Sequence, residues 1–451
     1  MNTGRFNRAY FIGIGGIGMS ALARYFIQKN WIVAGYDKTP TTLTRQLSKE
    51  GISIHYKDAI QEIPKDFKDI EKTLVVYTPA VPSNNQELNY FIDNQFDVFK
   101  RARAVAEIAN SGYCIAVAGT HGKTTTTSLL AHILKNSGKK ITAFMGGISN
   151  NYDTNLIAGT GKEIVIEADE YDKSFLNLKP NLAVLTSMDA DHLDIYENEQ
   201  DIQKNFRAFM ALVALDGIKI VNASLGLDGT TYSLDDDLEA DYLATEIRIE
   251  NGTYGFRIKH NSRKTESIAC GLPGRHNVEN ALAAAAAAHQ MGLKWPAIKA
   301  GIETFKGVKR RFDIHIKTDK LVYIDDYAHH PKELIALLNS VKELYPNKRI
   351  TTVFQPHLFS RTRDFGHEFG EALNLTDELL LLDIYPAREK PIEGIDSEWL
   401  LSKTECKLGK VVSAEDLIDS LLELKPEVLI TAGAGDIDKT IEPIINAFST
   451  E

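Results

Sequence analysis

At 451 residues, with 43% hydrophobic and 25% charged side chains, the chain reads as a globular protein too long for one core, and three domains are the central expectation within a range of two to four. Its formal charge of −10, with acids and bases interspersed, argues against non-specific nucleic-acid binding, so an anionic ligand has to be held by local groups. Cys114, Cys270 and Cys406 are too far apart for a zinc pattern or a disulfide framework, no apolar run is long enough to span a bilayer, and no secretory leader pattern is present, which predicts a cytoplasmic protein without membrane insertion.

Tyr10-Phe11-Ile12 reads as a strand, Gly13-Ile14-Gly15-Gly16-Ile17-Gly18 follows it, and Met19 to Gln28 reads as a helix. A G-x-G-x-x-G at a strand-to-helix turn holds a pyrophosphate against a helix N-terminus. Asp37 ends the next apolar strand, Trp31 to Tyr36. These residues fit NAD, with Asp37 on the ribose, and fit a UDP-sugar equally well. Strand Thr73 to Tyr77 runs into Thr78-Pro79-Ala80-Val81-Pro82, a loop at the strand end that lines the ligand crevice of a doubly wound sheet. Arg101 and Arg103 follow, and either could meet a phosphate. A first domain is expected over residues 1–111.

A second domain, residues 112–307, opens on YCIAVAGTHGKTTTTSLL, Tyr113 to Leu130. Tyr113 to Ala118 predicts a buried parallel strand, Gly119-Thr120-His121-Gly122-Lys123-Thr124 a phosphate loop, and Leu129, Leu130, Ile133 and Leu134 a helix stopped at Gly138. The loop is shorter than the usual Walker pattern, yet the flanking strand and helix are those a phosphate cradle needs. Lys123 is expected on the terminal phosphates and Thr124 on Mg²⁺. Strand Glu163 to Ile166 ends in Glu167-Ala168-Asp169-Glu170, and strand Asn181 to Leu185 leads to Asp189-Ala190-Asp191-His192. Glu170 and His192 are the candidate metal ligands, because Mg²⁺ takes one or two carboxylates besides phosphates and water, and register alone leaves Glu167, Asp169 and Glu170 open as the acid that touches it. Lys219 to Asn222 and Gly252 to Lys259 read as further strands, the second alternating like an antiparallel edge, and Asp235 to Asp237 as a solvated loop. Asn277 and Asn280, ahead of the Ala281 to Ala288 helix, suit either a base edge or a helix cap. Phe305 to Val308 reads as a domain connection.

The third domain, residues 308–451, carries strands Leu321 to Ile324, Arg349 to Phe354, Leu379 to Ile384 and Val428 to Thr431, a second open α/β arrangement. Polar groups gather at the strand ends: Asp326-Tyr327, Gln355-Pro356-His357 with Arg361, and Gly433 to Asp436. Ser413 is expected to cap a helix whose Leu417, Leu421 and Leu422 face inward.

The stretches GIGGIGMSALA, AGTHGKTTTT, EADEYDKSFL, DADHLD, GRHNVENALAA, RRFD, DDYAHHP and FQPHLFSRTRD together resemble the Mur ligase family, ATP-dependent amide-bond-forming enzymes of bacterial wall synthesis. GIGGIGMS and DDYAHHP point to the branch that adds the first amino acid. The resemblance implies three α/β domains: a Rossmann-like N-terminal domain for a UDP-sugar, a central P-loop ATPase-like domain, and a Rossmann-like C-terminal domain for the amino acid and part of the ATP site. It implies UDP-N-acetylmuramic acid, L-alanine and ATP as substrates, two Mg²⁺ ions, and a monomer or homodimer. The first glycine loop, with Gly15, Gly16, Ile17 and Gly18, then serves the UDP-sugar, and Asp37, Thr78 and Ala80 lie near it. The ATP set becomes Gly119, Thr120, His121, Gly122, Lys123, Thr124, Thr125, Asn277, Asn280, Arg311, Asp326 and Tyr327. Thr124, Glu170 and His192 become metal ligands, and His357 and Arg361 face the alanine, Arg361 on its carboxylate. Two positions depart from the family pattern. Leu358 stands where several members carry Arg after the histidine, and Arg207 stands where other branches carry a carbamylated lysine.

Overall fold

A computed structural model describes residues 5–189, 198–250, 252–387 and 389–449. The chain divides into two compact units. The first comprises residues 1–245, 257–268 and 279–305, the second residues 246–256, 269–278 and 306–451. The last division falls at Phe305, within the stretch expected to connect domains.

The first sheet of unit one is all parallel, with β1 (Arg8–Ile12), β2 (Ile32–Tyr36), β3 (Ser53–His55), β4 (Thr73–Tyr77) and β5 (Asp97–Lys100) in the order β3-β2-β1-β4-β5. Ala9 to Ile12 are fully buried, as the continuous apolar run requires of a strand covered on both faces. Helices α1 (Ile17–Gln28), α2 (Thr42–Lys49), α3 (Gln86–Asp93) and α4 (Arg101–Ala109) accompany it. The order reverses at β1, so the turn from β1 into α1 lies at the switch point.

The second sheet is built on β6 (Tyr113–Ala118), which feeds α5 (Lys123–Asn136). Its other strands are β7 (Thr142–Ser149), β8 (Thr154–Ile157), β9 (Glu163–Glu167), β10 (Leu182–Leu185), β11 (Ile218–Asn222), β12 (Thr230–Ser233), β13 (Tyr242–Glu250), β14 (Thr253–His260), β15 (Arg263–Lys264) and β16 (Ile268–Ala269). The order is β15-β14-β13-β12-β11-β10-β6-β9-β7-β8, with β16 on β14. β6 is flanked by β9 and β10, both parallel to it. The loops that leave β6, β9 and β10 therefore emerge side by side. β14 does pair antiparallel with β15 at the margin, as its alternation predicts. Helix α6 (Glu199–Ala211) follows, then α7 (Arg275–Gln290), whose Ala281 to Ala288 are fully buried, and α8 (Trp295–Glu303). Asp235 to Asp237 are exposed, and so is Arg207 on α6.

Unit two holds a sheet of β17 (Asp313–Lys317), β18 (Val322–Asp326), β19 (Ile350–Phe354), β20 (Glu378–Leu381), β21 (Gly409–Val411) and β22 (Val428–Ala432), ordered β17-β18-β22-β19-β20-β21. Only β17 runs antiparallel. Helices α9 (Pro331–Leu344), α10 (Phe359–Asp364) and α11 (Gly366–Leu373) follow β18 and β19. Because β22 sits between β18 and β19, the three polar strand ends meet at one edge. Ser413 departs from expectation. Its hydroxyl takes the Asp416 amide in a turn, and the helix starts one residue later, at Leu417. Among the described residues no helix is long and apolar enough to cross a membrane.

Candidate active site

The first glycine loop closes on its own acid. Asp37, at the end of β2, accepts from the Gly15 amide at 2.7 Å and from the Thr39 amide at 3.1 Å. Gly16 caps α1 in an extended conformation with no side-chain cap bond, so no cap side chain occupies the first-turn amides of α1. Ile17 is 38% exposed there. Thr78 bonds through its amide to Ile12 (3.3 Å) and through its hydroxyl to the Ala80 amide (3.4 Å), which fixes the neighbouring loop after β4.

The second loop folds around its own lysine. Lys123 Nζ donates to the carbonyls of Gly119 (2.6 Å) and Thr120 (3.1 Å) and to Glu170 Oε1 (2.8 Å). Burial opposes its charge, but the carboxylates of Glu170, Glu167 and Asp169 outweigh burial and raise its pKa, so it stays an ammonium. The Thr124 hydroxyl donates to Glu167 Oε1 at 3.0 Å. From the β10 side, the Ser187 hydroxyl takes the His121 amide (2.9 Å), Thr186 donates to the His121 carbonyl (2.5 Å), and Asp189 lies 3.6 Å from His121 Nε2. Thr120, Thr124 and Thr125 are buried. Gly122 has φ +79°, and an added Cβ would lie 2.4 Å from Asn280 Oδ1. Asn280 also accepts from Thr126 of α5 at 3.2 Å, and because α7 already starts at Arg275 it lies inside that helix and does not cap it. Asn277 donates back to the Pro273 carbonyl at 2.6 Å.

In unit two, Asp326 accepts from the Phe312 amide (2.6 Å) and the Ala328 amide (2.7 Å), and burial pushes its pKa up to about 6. Tyr327 lies under two guanidinium groups, Arg310 at 5.3 Å and Arg311 at 5.1 Å from its ring centre. Arg310 is held by Asp325 (3.1 Å) and the Gly433 carbonyl (2.7 Å). His357 stacks on Tyr385, with centroids 5.7 Å apart, and faces His329 at 5.8 Å. Its Nδ1 is buried with no hydrogen-bond partner among the described residues. Burial first, then the His329 and Arg361 charges, lower its pKa to about 4, so it is neutral at neutral pH. Leu358 holds φ +70°, a strained backbone for leucine, pinned by its amide on the Tyr385 carbonyl (2.9 Å). Arg361 is buried on α10.

Lys123, Thr124, Glu170 and Asn280 are thus brought together in unit one, and Asp326, Tyr327, Arg311, His357 and Arg361 share one sheet edge in unit two. His192 lies outside the described residues. Sequence reasoning left Glu167, Asp169 and Glu170 interchangeable. The structure gives Glu167 to Thr124 and Glu170 to Lys123. Tyr385 and Ser187 were missed, although both stand at or just beyond strand ends, where such residues should be sought. No group of three His, Cys, Asp or Glu residues forms a ready metal site among the described residues. The Thr124 hydroxyl with the Glu167 and Glu170 carboxylates nonetheless offers the all-oxygen donor set that Mg²⁺ accepts.

Three family models match consecutive parts of the chain: "Mur ligase family, catalytic domain" over residues 8–113, "Mur ligase middle domain" over 117–288, and "Mur ligase, glutamate ligase domain" over 310–435. The UDP-N-acetylmuramate–L-alanine ligase of Flavobacterium psychrophilum is 52% identical over 444 residues, 98% of each chain. That of Cytophaga hutchinsonii is 48% identical over 98% of this chain and 97% of its own. The solved UDP-N-acetylmuramate-alanine ligase of Thermotoga maritima superposes with a TM-score of 0.84 at 27% identity, covering 98% of this chain and 99% of its own. A murein peptide ligase from Psychrobacter arcticus shares the fold, with a TM-score of 0.70 at 24% identity over 98% of each chain.

Proposed function

The chain belongs to the Mur ligase family, and from that premise we infer that it joins L-alanine to the lactyl carboxylate of UDP-N-acetylmuramic acid at the expense of ATP, a step in building peptidoglycan precursors. It is an ATP-dependent amide ligase of three α/β domains, which we bound at residues 1–111, 112–307 and 308–451. The observation that carries the catalytic reading is the Lys123 ammonium, half-buried in a glycine loop beside Glu170 and next to the Thr124–Glu167 pair.

A carboxylate is a poor acyl donor because its leaving group would be oxide. Transfer of the γ-phosphoryl group of ATP to the lactyl carboxylate makes an acyl phosphate and ADP. The neutral amine of alanine attacks the acyl carbon, a tetrahedral intermediate forms, and inorganic phosphate leaves. Lys123 exchanges Glu170 for phosphate oxygens when the triphosphate enters, and the loop amides hold the remaining charge. Thr124 with Glu167 would hold one magnesium ion, and Glu170 with His192 a second. The metal would screen the phosphate charge during phosphoryl transfer. Asn277, Asn280 and Tyr327 are assigned to the adenine, and Asp326 and Arg311 to the rest of the nucleotide. Arg361 pairs with the alanine carboxylate. His357, neutral and with no hydrogen bond at Nδ1 among the described residues, takes the proton that the amine loses. Gly15, Gly16, Ile17 and Gly18 hold the UDP diphosphate, with Asp37, Thr78 and Ala80 beside the nucleoside. Both nucleotides are made inside the cell, which supports a cytoplasmic site of action.

The test is phosphate release from ATP and Mg²⁺ with and without UDP-N-acetylmuramic acid, scanning amino acids singly. Release should require the sugar nucleotide and be highest with L-alanine. Serine and glycine should follow at a modest disadvantage, because they differ by only a few atoms. Equal release without the sugar nucleotide would remove the ligase reading.

A further inference from the structure

Of the two arginines that precede the central loop, only one is placed for chemistry. Arg103 is exposed and lies 3.8 Å over the ring of Phe99. Arg101, the first residue of α4, turns the other way. An added Cβ at Gly18 would meet Arg101 Nη1 at 2.7 Å, Cδ at 3.1 Å and Cζ at 3.4 Å. The absent side chain at Gly18 is therefore what lets the guanidinium lie against the first turn of α1. Its Nη2 donates to Asp169 Oδ2 at 3.0 Å, and the pair is about one-third exposed, 31% and 36%. Asp169 directly precedes Glu170, the partner of Lys123.

Resting on the sugar-nucleotide reading of the first loop, we propose that Arg101 binds the diphosphate of that substrate by exchanging Asp169 for phosphate oxygens. The guanidinium already touches the loop's last glycine, and Nε and Nη1 supply donors beyond the one given to Asp169. A diphosphate is a stronger partner than one partly exposed carboxylate, because it offers several oxygens to a planar fork. The exchange takes the guanidinium away from Asp169 Oδ2 and leaves Oδ1 on the Tyr171 amide (3.0 Å), so the arrival of the first substrate changes the charge beside Glu170.

The test is calorimetric titration of wild type, Arg101→Gln, Arg101→Lys and Asp169→Asn with UDP-N-acetylmuramic acid, UDP and uridine. Arg101→Gln should weaken both diphosphates about tenfold or more and leave uridine unchanged. Arg101→Lys should recover part of that loss. Asp169→Asn, which removes the competitor, should bind the diphosphates as tightly as wild type or more tightly. Unchanged diphosphate binding in Arg101→Gln would overturn the proposal. So would an equal loss for uridine, or an Asp169→Asn loss as large as that of Arg101→Gln, because either outcome makes the pair a structural brace. Wild type failing to bind UDP-N-acetylmuramic acid would instead defeat the sugar-nucleotide reading itself.

Discussion

Single side chains divide into those whose role is written locally and those whose role depends on register. Lys123 and Thr124 were legible because a strand, two glycines and a helix start are contiguous in the chain. Glu167, Asp169 and Glu170 were not, because one residue of slip at the end of β9 changes which carboxylate meets which partner. His357 could be found from its strand-end position, but its neutrality comes first from burial, which only the fold supplies, and then from Arg361 nearby in the chain and His329 from another strand end. That neutrality makes a prediction. With a pKa near 4 in the folded protein, His357 stays a neutral imidazole between about pH 5 and 8. The pH profile of kcat/KM for alanine should therefore lack an acid inflection near 6.5, and His357→Gln should lower kcat by about 10²-fold or more. An inflection at 6.5 that vanishes in the variant would contradict the assignment. The same shift has a stability sign. The unfolded imidazole protonates near 6.5 and the folded one near 4, so the contribution of His357 is intact above 6.5 and is lost as pH falls between those values.

At the scale of elements, the apolar runs Thr73–Tyr77 and Tyr113–Ala118 were readable to their ends because strands covered on both faces are continuous in hydrophobicity. Short or polar strands such as β3 (Ser53–His55) and β15 (Arg263–Lys264) carry no such signal and exist only because a neighbour supplies their hydrogen bonds. Asn280 is the sharper lesson. Its place before an alanine-rich run suggests a cap, yet α7 starts five residues earlier and Asn280 meets Thr126 of α5 beside Gly122, a contact that only the tertiary fold creates. Gly122→Ala tests that junction. The left-handed backbone at φ +79° costs about 1–2 kcal/mol with a Cβ, and the contact with Asn280 adds to it. Thermal unfolding should shift down by several degrees and ATP-analogue affinity should fall. Adding Asn280→Ala should recover only the part due to the clash. Wild-type stability in Gly122→Ala would mean that the loop does not hold this conformation.

For the whole molecule, the charge of −10 opposes the long-range approach of two anionic substrates, while Lys123 and the glycine-loop amides act at contact distance. Added salt screens the former more than the latter, with a Debye length of about 8 Å at physiological ionic strength. Accordingly, kcat/KM for UDP-N-acetylmuramic acid should stay level or rise as salt increases. A steep fall would reveal a basic funnel not evident in the sequence. Three sheets were legible from alternating strands and helices, and three family models tile them, whereas the division into two compact units was not, because residues 246–256 and 269–278 join the later part of the chain from within the middle of the sequence. The account assigns one glycine turn to each nucleotide, and the most direct measurement is titration of UDP-N-acetylmuramic acid into Lys123→Ala, whose turnover should be abolished. The dissociation constant should stay within about twofold of wild type, since the lysine serves only the second turn. Loss of sugar-nucleotide binding together with turnover, in a variant that remains folded, would contradict that division.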